Sequence, residues 1–225
     1  MNKRIAAIYD LISPGLGMID VGTDHGFLPA ALAANGYPGR ILASDIRPEP
    51  LNAAKRNAER AGVMDRIGFL LCDGLALCPP DAVDTIVIAG MGGDMIVKIL
   101  DDAEWCLDPR YRLILQPMTK AEVLRYWLTY NGFEILRESL VPDGETLYQI
   151  LSARFGGKTK LSDAELFVGS PALASDPALY RLALGQLDAR LDKALDGMRG
   201  REGDSPRRKL YREISEQVKE LKNKL

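Results

Sequence analysis

Short apolar runs alternate along the chain with stretches in which apolar residues recur every three or four positions. At the start, Ile5, Ile8, Leu11 and Ile12 follow helical spacing. Residues 18–21 form an apolar run carrying Asp20 and predict a buried strand; the run breaks at Gly22, and residues 27–34 resume helical spacing. Residues 40–45 predict a second strand ending on an acid. Pro48, whose missing N–H costs nothing in a first helical turn, opens a helix that residues 51–61 continue to Gly62. Residues 67–71 predict a third strand, ending in Cys72-Asp73-Gly74. Residues 83–89 are almost wholly apolar and β-branched, as in a strand covered on both faces, and run into Gly90-Met91-Gly92-Gly93 and a helix around residues 95–100. A fifth strand is predicted over residues 111–115, followed by Gln116-Pro117 and a helix over residues 120–130. Residues 133–140 and 146–153 predict two strands joined by the turn Pro142-Asp143-Gly144-Glu145. Five strand–helix alternations closed by a hairpin predict an α/β sheet of seven strands, parallel except for one inserted antiparallel strand.

The pattern changes after Gly156-Gly157-Lys158-Thr159-Lys160, which has the composition of a linker. Leu184, Leu187, Leu191, Ala194 and Met198 keep a three-four spacing, as do Leu210, Ile214, Val218, Leu221 and Leu225 with one slip. Between them lies the connector 199–204, with Ser205 placed as an N-cap and Pro206 in the first turn. Residues 1–156 are therefore expected to form one domain and residues 157–225 a coiled-coil-like antiparallel helical hairpin.

Composition narrows the class. With 225 residues, 47% hydrophobic and 27% charged, the chain has the make-up of a soluble globular protein. No run approaches the roughly 18 apolar residues of a membrane helix, and the N-terminus is too short and polar for a secretory signal. Cys72, Cys78 and Cys106 form no CxxC pair, and there is a single histidine. Reduced thiols, a cytoplasmic location and no metal site are the expectations. The net charge of −2 is unevenly spread, with Lys and Arg in excess after Pro171 and Asp and Glu in excess before it. Any nucleic-acid contact would lean on the tail.

The candidate chemistry lies at predicted strand ends. Gly22-x-x-x-Gly26 falls short of the G-x-G-x-x-G dinucleotide fingerprint, so the loop could hold a dinucleotide, hold S-adenosyl-L-methionine, or simply turn a corner. Three acids follow successive strands, where open α/β sheets bind ligands. Asp20 is placed to order the loop or meet a ligand's amino group. Asp45 is placed to accept from both hydroxyls of a ribose, and Asp73, beside Gly74, from an adenine amine. A dehydrogenase needs the ribose acid alone. The segment Ala89-Gly90-Met91-Gly92-Gly93 offers a backbone-lined slot suited to a flat ring, with Met91 at its mouth, and His25 can hydrogen-bond a ring or a carboxylate. No nucleophile elbow or P-loop is present.

Three runs carry a resemblance: Asp20-Val21-Gly22-Thr23-Asp24-His25-Gly26-Phe27-Leu28-Pro29, Ile88-Ala89-Gly90-Met91-Gly92-Gly93, and Leu113-Ile114-Leu115-Gln116-Pro117. Together they resemble the bacterial tRNA (adenine-N1)-methyltransferases that modify adenine 22, and the likeness extends through Leu161-Ser162-Asp163-Ala164-Glu165-Leu166 and the helical C-terminus. The resemblance implies a Rossmann-like class I methyltransferase sheet. It also implies S-adenosyl-L-methionine held over Asp20, Gly22, Asp24, His25, Asp45, Asp73, Gly74, Ala89 and Gly90, with its methyl directed to Gly90 and Met91. Asp24 or His25 would then orient an unpaired adenine, with Met91 beside it. The tRNA body would meet Arg190, Lys193, Arg207, Arg208 and Lys209 of the hairpin, whose seam serves self-association equally well.

Overall fold

The computed structural model describes residues 2–144, 146–198 and 205–224. Glu145 of the predicted turn, the connector 199–204 and Leu225 of the predicted seam lie outside them. Seven strands, β1 (Gly17–Val21), β2 (Arg40–Asp45), β3 (Ile67–Leu71), β4 (Thr85–Gly92), β5 (Arg112–Thr119), β6 (Phe133–Asp143) and β7 (Thr146–Phe155), form one sheet in the order β3-β2-β1-β4-β5-β7-β6. The first five pair in parallel; β7 runs antiparallel to both β5 and β6 and is the inserted strand. Helices α1 (Lys3–Tyr9), α2 (Phe27–Ala34), α3 (Pro48–Arg60), α4 (Gly93–Asp101) and α5 (Ala121–Tyr130) cover it, and α6 (Asp163–Val168), α7 (Pro177–Gly197) and α8 (Pro206–Asn223) follow.

The two-residue period of a strand divides the core. Ile19, Val21, Ile86, Ile88, Leu113 and Leu115 face α4 and α5, meeting Ile96, Leu100, Leu124 and Leu128. Met18, Val87, Ile114 and Ile150 face the other way, meeting Ile8 of α1, Leu28 and Leu32 of α2 and Ala58 of α3. Both faces are covered, so the central strands read as unbroken apolar runs. Each fully buried Ile or Leu contributes about 1.5–3 kcal/mol through removal from water.

β4 and β5 run beyond their predicted ends at Ala89 and Leu115, reaching Gly92 and Thr119. The register shifts between Ala89 and Met91, with Met91 opposite Pro117. This irregularity tolerates the residues that ordinarily stop a strand: Gly90 adopts φ 80, and Pro117 has no N–H to contribute. A helix missing from the predicted hairpin, α6, is opened by a capping box in which Ser162 accepts from the Glu165 N–H and the Glu165 carboxylate accepts from the Ser162 N–H.

The linker-like segment is held down. The N–H groups of Gly156 and Gly157 donate to Gly132, and the Ile135 N–H donates to Thr159 Oγ1 at 2.8 Å. Leu184, Leu187, Leu191, Ile214 and Val218 are buried against Ala164, Val168 and Tyr180 and against Leu140 and Leu147 of the β6–β7 hairpin. Their apolar seam is thus filled from within the chain. Beneath it Arg125 of α5, fully buried, donates to the Glu138 carboxylate of β6, to Gln149 of β7 and to the Leu166 carbonyl of α6.

Candidate active site

A cavity of about 610 Å³ opens at the carboxyl ends of β1 to β4. Its wall includes Asp20, Gly22, Asp24, His25, Asp45, Asp73, Gly74, Ala89, Gly90 and Met91, so the residues named for the cofactor and the base reach one space, while Gly92 and Gly93 of the predicted slot do not line it. A parallel sheet brings this about: residues that end successive apolar runs come to lie side by side at one edge.

The turn after β1 is built from backbone hydrogen bonds. Gly22 and Thr23 donate their N–H groups to the Ser44 carbonyl at 2.8 and 2.9 Å, and Gly26 donates to Thr23. Gly22 has φ 71, and a Cβ there would lie 2.1 Å from the Met91 methyl. Met91 therefore reaches back across the glycine turn and does not stand only at the mouth. Asp24 carries φ 50 without being glycine, a strained conformation of the kind functional sites retain. The His25 carbonyl accepts from Asn57 Nδ2 of α3, its ring lies 5.5 Å from that of Phe27, and Nε2 is 3.8 Å from the Asp24 carboxylate. The side chains of Asp24 and His25 are 71% and 53% exposed, so they form a rim, while Asp20 and Asp45 form the buried floor.

Asp20 accepts from Thr23 Oγ1 at 2.7 Å, and burial pushes its carboxyl up to about 6 against the lowering effects of Thr23 and the Arg4 charge. Asp45 accepts from the Arg47 N–H at 2.9 Å. Asp73 is exposed at the far end, beside Gly74, where φ 52 disfavours any side chain and a Cβ would press on Ile99 at 3.1 Å. At the other end the Gly90 N–H donates to Gln116 Oε1 at 3.1 Å, and the same oxygen accepts from Arg4 Nη1 at 2.6 Å.

The wall also takes in residues that the sequence left without a role, among them the cations Arg4, Arg47 and Lys98 and the side chains of Thr23, Ile46 and Met95. Arg4 left a trace in the sequence, since it falls four residues before Ile8, on the face α1 turns toward the core. Thr23 stood inside the run that carries the resemblance without being given a role, and the rest are loop and helix residues with no pattern to mark them. No group of three or more His, Cys, Asp or Glu side chains among the described residues is placed to hold a metal ion. No helix among them is long and apolar enough to cross a membrane. Cys72, Cys78 and Cys106 are free thiols.

The strand order β3-β2-β1-β4-β5-β7-β6, with antiparallel β7 inserted beside β5, is that of a Rossmann-like class I methyltransferase sheet, and a family profile described as "Methyltransferase domain" matches residues 1–151. The tRNA (adenine(22)-N(1))-methyltransferase of Bacillus subtilis is 32% identical over 181 residues, covering 78% of this chain and 76% of that one. The crystal structure of the B. subtilis m1A22 tRNA methyltransferase superposes with a TM-score of 0.85 at 28% identity, over 99% of this chain and 98% of the other. A Streptococcus pneumoniae structure in complex with S-adenosyl-L-methionine superposes with a TM-score of 0.81 at 29% identity, over 99% of both chains. The chain belongs to the family of tRNA (adenine-22-N1)-methyltransferases.

Proposed function

We propose that this protein transfers the methyl group of S-adenosyl-L-methionine to N1 of adenine 22 in tRNA, and that it does so in the cytoplasm. The observation that carries the reading is the single cavity that joins the glycine turn and the acids of β1 and β2 to the Gly90 slot of β4. Its contents fit this cofactor. Asp45 suits the ribose hydroxyls, Asp73 the adenine amine, Asp20 the ammonium of the amino-acid end, and Gly22 allows close backbone approach.

Bound there, the cofactor supplies an electrophilic methyl on a sulfonium. Adenine N1 has an in-plane lone pair, so the chain need provide no strong base; its work is to position the ring and keep water out. N1 lies on the Watson–Crick edge, so the base must be unpaired and swung into the cavity. Gly90, with no side chain, leaves a flat ring room against the backbone. Methylation places positive charge on the base. Asp24 or His25 at the rim accepts from its exocyclic amine, and the acceptor there favours the cationic product.

Residues 1–156 carry this chemistry in our reading, and residues 157–225 read the tRNA body through Arg190, Lys193, Arg207, Arg208 and Lys209. Most of the hairpin's apolar seam is covered by its own chain, with Leu210 left exposed, which favours RNA contact over self-association. The test is methyl transfer to unmodified tRNA transcripts with adenine or guanine at position 22. Incorporation into the first alone is expected, and equal incorporation into both would overturn the assignment.

A further inference from the structure

A second cavity, of about 270 Å³, lies between α5, α6 and α8 and shares no lining residue with the first. Val123 and Tyr126 of α5, Phe167 of α6 and Leu210 of α8 give it apolar walls, and Glu122 and Asp163 bring carboxylates to it. The helical period explains the opening. α5 buries Leu124 and Leu128 against the sheet, so Val123, Tyr126 and Tyr130 gather on its outer face. The rings of Tyr126 and Tyr130 stack there, 5.9 Å between centres and 16° between planes, and the two residues are 59% and 77% exposed. Val123 and Leu210 are exposed beside them. Two cations rest on neighbouring rings: Arg190 of α7 lies 5.4 Å from the centre of Phe167, and Arg207, one turn before Leu210, lies 5.4 Å from that of Tyr211.

The order of charges selects the occupant. Open aromatic rings beside hydrocarbon walls suit a flat ring, since every nucleobase has a face to stack. The carboxylates of Glu122 and Asp163 repel a phosphate but accept from an exocyclic amine, while Arg190 and Arg207 attract the phosphate outside the walls. A nucleotide that enters base first satisfies both. A second copy of the chain fits less well, because four exposed side chains fall short of the roughly 20 residues a side that a stable interface buries. We propose that this groove binds one unpaired, amine-bearing nucleobase of the tRNA, other than adenine 22, stacked on Tyr126 with its phosphate toward Arg190 and Arg207. The proposal rests on the tRNA reading and adds to it a second base-binding site. Arg125, next to Tyr126, ties α5 to α6 and β6, so the groove keeps its place relative to the catalytic cavity.

The test measures binding of unmodified tRNA transcript to the full-length protein over a series of salt concentrations, with S-adenosyl-L-methionine binding measured alongside. Stacking releases no counterions, so Tyr126→Ala should weaken tRNA binding about tenfold while the slope of log affinity against log salt stays that of wild type. Cofactor affinity should not change. Tyr126→Phe keeps the ring and should bind as wild type does, and Leu210→Ser, on the opposite wall, should weaken tRNA binding with the same unchanged slope. A photoreactive side chain in place of Tyr130 should cross-link to one nucleotide other than adenine 22. Unchanged tRNA affinity in Tyr126→Ala would overturn the proposal, as would loss of cofactor binding along with it, which marks a structural role. A shallower slope would overturn it by placing a phosphate in the groove. A wild-type dimer that Tyr126→Ala dissociates in sedimentation would overturn it in favour of self-association. A wild type that binds no tRNA would overturn the tRNA reading as well.

Discussion

Asp20 and Glu138 are both buried carboxylates, and their surroundings differ in kind. Glu138 accepts from Arg125 Nε at 3.0 Å and again from its Nη2, and the Ser170 N–H approaches its other oxygen at 3.4 Å. The network extends to Gln149 and to the carbonyls of Leu166 and Phe167. Asp20 is as deeply placed, yet its hydrogen-bond partner is a neutral hydroxyl, and the cation whose field it feels belongs to Arg4 across the cavity. Glu138 joins α5, β6, β7 and α6, and its charge is matched within the chain. Asp20 is left short of a partner, which is how a fold holds a place for a ligand's cation.

The comparison breaks most visibly at the matched pair. Glu138→Ala leaves a guanidinium buried without its anion, and about 3–5 kcal/mol of unfolding free energy is expected to be lost in denaturant titration. Arg125→Met combined with Glu138→Leu should lose clearly less, because neither variant charge remains to be stranded.

Asp20→Asn should act in the opposite direction. The carboxyl rises from 3.8 to about 6 on folding, so the ionised group works against the folded state at neutral pH. Its favourable contribution is complete below about pH 4 and disappears as pH rises through 6. The cofactor-free variant should therefore be more stable than wild type by up to about 3 kcal/mol at pH 8 and no more stable below pH 4, as read from unfolding curves at the two pH values. The same variant should bind S-adenosyl-L-methionine more weakly. A gain of equal size at both pH values would mean that the buried charge is not its source.

Smaller effects separate rim from floor. His25→Ala is expected to lower kcat on tRNA by about three- to tenfold, the value of one neutral hydrogen bond, while cofactor affinity changes less than about twofold. Full turnover in this variant would remove histidine from base orientation. Smallest of all, Lys193→Ala should weaken tRNA binding uniformly across sequences and reduce the slope of log affinity against log salt by about 1. An unchanged slope would place the RNA elsewhere.

What the sequence made legible follows from where physical signals are local. β2, β3 and α2 were readable to the residue because apolar runs met clear punctuation at Gly22, Pro48 and Gly62. The acids Asp20, Asp45 and Asp73 were readable as a site because ending an apolar run and ending a strand of a parallel sheet are the same event. Gly90 and Pro117 misled, since each stops a regular strand and here they face an irregularity in which β4 and β5 continue. The α6 helix is too short for periodicity to show, although its capping box was in plain view. Arg4 and Gln116 lie 112 positions apart, and the Arg125 network draws on four elements. Such pairings become visible only once the sheet order is known.

The cysteines give the cavity a built-in reporter. Cys78 and Cys106 are buried, and burial pushes both thiols up to about 12, so neither is open to a thiol reagent at neutral pH. Cys72 is partly exposed on the cavity wall, between Asp45 and Gly74. Alkylation of the folded protein should therefore stop at one label, and a ligand seated over Asp45 and Asp73 should slow it. Occupancy of the site then reads out by mass, with no substitution and no tRNA.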